Sequence, residues 1–249
     1  MKNKIKVHDV QPIRNDRRRF FKLSGAALVG SGLLFMAGCS DDDDGPAPDS
    51  GKFDLGTGDL GVLNYAYALE QLEADFYTRV VNNANFSSIF SSNEQQLLID
   101  LYNHEVIHRD FFNVAINAAV GNDTSKVLPT LEFDYGNLNF GNREMVLATS
   151  QTLEDTGVAA YNGAGKLLSD PGYLLIAGKI VSVEARHASA LRNLIATGSI
   201  NGSGSAAFAG DDSVDPVSGL GKALPPSEII AAAGGFIVTP FTYMEQGIG

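Results

Sequence analysis

Leu69-Glu70 with Tyr77, then Glu105-Val106-Ile107-His108; Leu153-Glu154 with Tyr161, then Glu184-Ala185-Arg186-His187: the chain writes one pattern twice. In each copy a glutamate stands seven residues before a tyrosine. A Glu-x-x-His follows, 35 residues after Glu70 and 30 residues after Glu154. Apolar side chains recur around these residues at helical spacing. Glu70 is flanked by Leu63, Ala66, Tyr67, Ala74, Tyr77 and Val81, the stripe of a helix with a carboxylate at its middle. Leu98, Leu101, Tyr102, Phe112 and Ile116 flank Glu105 and His108, and Ala177, Ile180, Val181, Leu191 and Ile195 flank Glu184 and His187. One carboxylate on an apolar face can be a boundary residue. Four on four faces form a set, because each unpaired buried charge costs several kcal/mol.

The same periodicity sets the helix limits. The first helix is predicted from Gly56 to about Asn82. The second begins at Ser91, whose spacing to Glu94 makes a capping box, and runs to Val120 before Gly121. The third is expected from Asn142 to about Ser169, although Gly157, Gly163 and Gly165 each weaken a helix by about 1 kcal/mol against alanine. The fourth starts at Ser169-Asp170-Pro171, a cap residue with a first-turn proline, and ends at Gly198. A short link makes the third and fourth helices antiparallel neighbours. The link between the second and third, about residues 121–141, is long enough to cross a bundle. Within it Phe133, Tyr135, Leu138 and Phe140 suit a segment laid along helices. The expectation is an all-α fold, a four-helix bundle over residues 56–198 with one long crossover between helices two and three. Residues 199–249 are Gly/Ser-rich, with a short helix at Ser227–Ala233 behind Pro225-Pro226, and are expected to wrap over one end of the bundle.

Residues three apart on a helix share a face, so each Glu-x-x-His turns both donors into the same interior. Four carboxylates crowded there repel and take up protons unless cations neutralise them. Two divalent cations balance them charge for charge. Carboxylate and imidazole donors suit iron or manganese, with zinc also compatible. On these residues, over about 56–198, the chain resembles the ferritin-like di-metal carboxylate proteins. That class takes one Glu from each of two helices and a Glu-x-x-His from each of the others. The resemblance implies the ferritin-like fold and two iron ions, or manganese, as cofactors. It implies that Glu105 and Glu184 bridge the metals, that Glu70 and Glu154 are terminal ligands, and that His108 and His187 cap one metal each. The activity it implies is oxidation of ferrous iron or reduction of peroxide. Tyr77 and Tyr161 would then hydrogen-bond ligands or supply an electron; ordinary core aromatics would read the same way. Glu73, three residues after Glu70, reads as a charge on a helix face, a seventh carboxylate being the other reading.

The 249 residues are 44 % hydrophobic and 19 % charged, as a folding chain requires. The net charge of −11 conceals a split. Residues 1–38 hold 8 of the 18 Lys+Arg and 2 of the 29 Asp+Glu, so the rest carries 10 basic against 27 acidic groups, net −17. So acidic a surface repels phosphate backbones and argues against nucleic acid as a partner. The single cysteine, Cys39, excludes an internal disulfide framework and a cysteine metal site. Asp16-Arg17-Arg18-Arg19-Phe20-Phe21-Lys22 resembles the twin-arginine export signal. An apolar stretch, Leu23 to Gly38, ends in Met36-Ala37-Gly38-Cys39, which is similar to a lipoprotein signal-peptidase site. Residues 1–38 are thus expected to be a signal peptide and Cys39 a lipidation site. Residues 39–55, with Asp41–Asp44 and a Pro/Gly-rich run, are expected to be a solvated tether. The expected place is outside the cytoplasm, lipid-anchored in the cell envelope, periplasmic or surface-exposed.

Two other readings stand beside this one. Ferritin-like lipoproteins of this kind resemble desiccation-related proteins, whose bundle would hold metal or protect the envelope without turnover. His104-Glu105-Val106-Ile107-His108 also matches H-E-x-x-H, a zinc metalloprotease helix with Glu105 as base and Glu132 or Glu154 as third ligand. That reading leaves Glu70, Glu184, His187 and the repeat without a role. On the di-metal reading His104 is only a histidine at the bundle edge. The expected partners are metal ions, oxygen or peroxide, and a membrane through the lipid. A homodimer is open to such a chain, whereas a closed storage shell fits an anchor at Cys39 poorly.

Overall fold

The computed structural model describes residues 51–198 and 209–243. The export signal, Cys39 and the acidic run lie outside the described residues. The helices are α1 (Gly58–Val81), the single turn α2 (Phe86–Ile89), α3 (Ser92–Ala119), α4 (Arg143–Gly165), α5 (Pro171–Thr197) and α6 (Pro226–Ala233). The starts of the long helices follow local chemistry. Ser91 N–H donates to Glu94 Oε2 at 2.8 Å, closing the capping box of α3. The Asn142 side chain accepts from Met145 N–H at 3.0 Å, and Asp170 accepts from Gly172 N–H at 2.6 Å beside Pro171. Gly198 ends α5 with φ +69°, the left-handed conformation glycine adopts freely. The end of α4 at Gly165 is a correction to the expected Ser169. Asp59 of α1 accepts the N–H groups of Ser169 and Asp170, at 2.6 and 2.9 Å, and draws these residues into the turn toward α5.

α1 packs chiefly on α3 and α4 on α5, and these two hairpins meet along α1 and α4. The crossover runs over α1 in the direction of α1 itself. Asn64 donates to Lys126 O at 3.0 Å and accepts from Leu128 N–H at 2.9 Å. Two turns on, Gln71 donates to Pro129 O and accepts from Leu131 N–H. Further along, Arg79 donates to Phe133 O at 3.0 Å. Because successive crossover residues meet successive turns of α1, α4 begins near the C-terminal end of α1 and lies antiparallel to it. The crossover aromatics pack inward, with Tyr135 and Phe140 at 5.8 and 5.7 Å from the Phe76 ring.

The C-terminal segment covers α4 as the crossover covers α1. Leu224 N–H donates to Ala159 O at 3.1 Å. A Cβ on Gly163 would overlap the Leu224 carbonyl, so this approach requires glycine. Arg192, buried on α5, pairs with Asp155 of α4 at 2.6 Å and with Asp212 at 3.1 Å. Asp134 N–H donates to Phe236 O and Val238 N–H to Glu132 O, fastening the segment to the crossover. Its described part therefore lies along α4 and onto the crossover instead of over one end. Phe53–Asp54 (β1) pairs in parallel with Phe241–Thr242 (β2), and Leu55 is fully buried. The last residues read as tether are thus part of the fold, because this pairing joins the two ends of the domain. No described helix is long and apolar enough to cross a membrane.

Candidate metal centre

The six residues of the repeated pattern converge at mid-bundle. α1 supplies Glu70, α3 Glu105 and His108, α4 Glu154, and α5 Glu184 and His187. All four glutamates are fully buried. They form two groups, Glu70–Glu105–His108–Glu184 and Glu105–Glu154–Glu184–His187, with donor atoms within 4.8 Å of one another in each. Glu105 and Glu184 belong to both. His108 Nδ1 lies 3.0 Å from Glu184 Oε1, 3.3 Å from Glu105 Oε2 and 3.5 Å from Glu70 Oε2. His187 Nδ1 lies 2.9 Å from Glu105 Oε1, 3.1 Å from Glu154 Oε2 and 3.5 Å from Glu184 Oε2.

One imidazole nitrogen cannot satisfy three carboxylates. Glu70 Oε2, Glu105 Oε1 and both oxygens of Glu184 are buried without a directed hydrogen bond from any described residue. Such oxygens are costly unless a cation sits among them. The donor set, carboxylate oxygen with one imidazole nitrogen per group, fits iron or manganese and accommodates zinc.

Tyr77 and Tyr161 do more than fill the core. The Tyr77 hydroxyl donates to Glu154 Oε1 at 2.6 Å, and the Tyr161 hydroxyl donates to Glu70 Oε1. Each hairpin's tyrosine thus holds the glutamate of the other hairpin. This crossing follows from the antiparallel approach of α1 and α4.

Burial raises the Glu70 carboxyl to about 8, with Glu184 and Glu105 adding to the shift and His108 opposing it. Burial likewise holds Glu154 well above the carboxylate range, against the pull of His187. Burial would raise Glu184 too, but the imidazoles of His108 and His187, 3.0 and 3.5 Å away, outweigh it and bring the group to about 2. Burial disfavours the charged imidazole of His108, yet Glu105, Glu184 and Glu70 overcome this and raise it to about 12. His187 is raised in the same way, burial being outweighed chiefly by Glu154. These shifts favour protons on Glu70, Glu154 and both imidazoles.

Two sequence readings are corrected. Glu73 is no surface charge; it is 3 % exposed, and burial, then Glu184 and Glu154, push its carboxyl well above the usual range. It fits because α4 has a glycine opposite, where a Cβ on Gly157 would stand 3.1 Å from Glu73 Oε1. A signal for this was present: Gly157 stands to Glu154 as Glu73 stands to Glu70. His104 is at the bundle edge and exposed, but it is engaged, with Nδ1 2.9 Å from His187 Nε2 and the rings nearly parallel. Nothing in the α3 sequence announces a partner on α5. His104 joins neither donor group, so the geometry does not assemble the His104–His108 pair that a zinc metalloprotease needs.

No curated protein matches the chain. Residues 58–197, more than half of its length, match the ferritin-like domain, and the all-α bundle agrees with that match. The chain belongs to the ferritin-like domain family.

Proposed function

We propose that this is an exported, lipid-anchored ferritin-like protein whose bundle holds two iron ions, or manganese, and that it oxidises ferrous iron or reduces peroxide there. The observation that carries the metal reading is the sharing of Glu105 and Glu184 between two donor groups, with three of their four buried oxygens left unsatisfied. On this reading Glu105 and Glu184 would be shared by both cations, Glu70 and Glu154 would serve one each, and His108 and His187 would hold one each. Such a pair supplies, when bound, a two-electron couple; hydrogen peroxide accepting two electrons and two protons leaves as two waters. The chain's own part is to position and to exclude water. Tyr77 and Tyr161 hold the terminal carboxylates by one oxygen each, which leaves Glu70 Oε2 and Glu154 Oε2 turned toward the histidines. The export and anchoring rest on the twin-arginine-like stretch and on Cys39.

The test is metal content of the full chain purified from membranes, beside Glu184→Ala and Cys39→Ala. Two irons or manganese per chain are expected, with most of the metal lost in Glu184→Ala and Cys39→Ala recovered in the soluble fraction. Full loading of Glu184→Ala would overturn the site. A loaded protein inert to ferrous iron, oxygen and peroxide would favour the metal-holding, stress-protective reading.

A further inference from the structure

We propose that the two halves of this centre are inequivalent and that His104 makes them so, fixing His187 as the ligand of a resident cation and leaving the His108 half to exchange. The inference rests on the di-metal reading and concerns a positioning residue outside the donor groups. His187 presents Nδ1 to three carboxylates, so its lone pair or its proton on that side faces the centre. With a cation taken at Nδ1, the ring proton is on the other nitrogen, Nε2, and the group 2.9 Å away that would accept it is His104 Nδ1. The near-parallel rings leave His187 little freedom to turn out of the site.

The pseudo-twofold repeat shows what the other half lacks. His104 precedes Glu105; the residue that precedes Glu184 is Val183, whose side chain accepts no hydrogen bond. No described residue meets His108 Nε2 as His104 meets His187 Nε2. The His108 side chain is also the more accessible, 12 % exposed against 5 % for His187. One imidazole is engaged at both nitrogens and more sheltered; the other is engaged at Nδ1 alone and lies closer to solvent. An outer partner of this kind typically changes metal affinity by about 10–100-fold.

The experiment is an anaerobic cobalt(II) titration of the full-length chain, followed by visible absorption, with melting curves to confirm folding. The wild type is expected to bind two ions in steps at least about tenfold apart. His187→Ala should remove the tight step and His108→Ala the weak one. His104→Leu should weaken the tight step by about 10–100-fold and leave the weak step in place. His104→Asn, whose Oδ1 takes the position of Nδ1, should restore the tight step to within a few-fold. Two coincident steps in the wild type would overturn the inequivalence alone. An unmoved tight step in His104→Leu, or an Asn variant no better than Leu, would overturn the role of His104. A wild type that binds no cobalt would overturn the di-metal reading and this inference with it.

Discussion

The α1–α3 and α4–α5 hairpins carry the same inward residues and differ almost everywhere else. Glu70 and Tyr77 answer to Glu154 and Tyr161, and Glu105-x-x-His108 to Glu184-x-x-His187. Three positions from the first glutamate, however, one hairpin has buried Glu73 and the other Gly157. Nine positions on, Arg79 reaches the crossover carbonyl of Phe133, whereas Gly163 lets the Leu224 carbonyl come against the helix. Ahead of the Glu-x-x-His, one hairpin has His104 and the other Val183. Repetition is kept where six donors must meet in one small volume. It is given up at the positions around them and where each helix meets its own cover.

The largest effect should come from what the halves share, the protons held by the metal-free cluster. Glu70 is raised to about 8 and His108 to about 12, so at neutral pH both are largely protonated and metal must displace those protons. The sign follows: metal uptake releases protons, and affinity falls as pH falls, by about tenfold per pH unit for each proton displaced. Cobalt titrations at pH 8, 7 and 6 with an indicator dye check this. Flat affinity would mean that the cluster is not held by protons.

The outer covers should separate the hairpins next. Gly163→Ala forces the Leu224 carbonyl away from α4 and is expected to destabilise by about 1–3 kcal/mol, a drop of several degrees in Tm. Arg79→Ala, at the corresponding place, should cost about 1 kcal/mol or less. Thermal melts of the two variants compare the covers, and equal losses would contradict the difference. A similarly small effect, about 1 kcal/mol or some fivefold in affinity, is expected from the tyrosines. Tyr77→Phe should weaken the step that involves Glu154 and His187, and Tyr161→Phe the step that involves Glu70 and His108. Parallel loss in both steps from either variant would break the crossed assignment.

Much of this was legible before any fold was drawn. The capping box at Ser91-Glu94 and Pro171 behind Asp170 mark helix starts because they satisfy amides within one turn. The six donors stand out because carboxylates inside apolar stripes need a common reason. Glu73 was harder to read, since its burial depends on a gap in another helix. Leu55 falls within the expected tether because Gly-rich surroundings hide a single anchoring side chain, and its burial depends on pairing with residues near 241.

By itself, then, the sequence determined the four long helices and the inward donor set, since these rest on a 3.6-residue period and on contacts within a few turns. Only the tertiary structure decided which tyrosine holds which glutamate, that Glu73 is buried against Gly157, and that His104 reaches His187. The physical reason is that those relations join different helices, and the approach and direction of the helices are set by packing, which no single helix encodes.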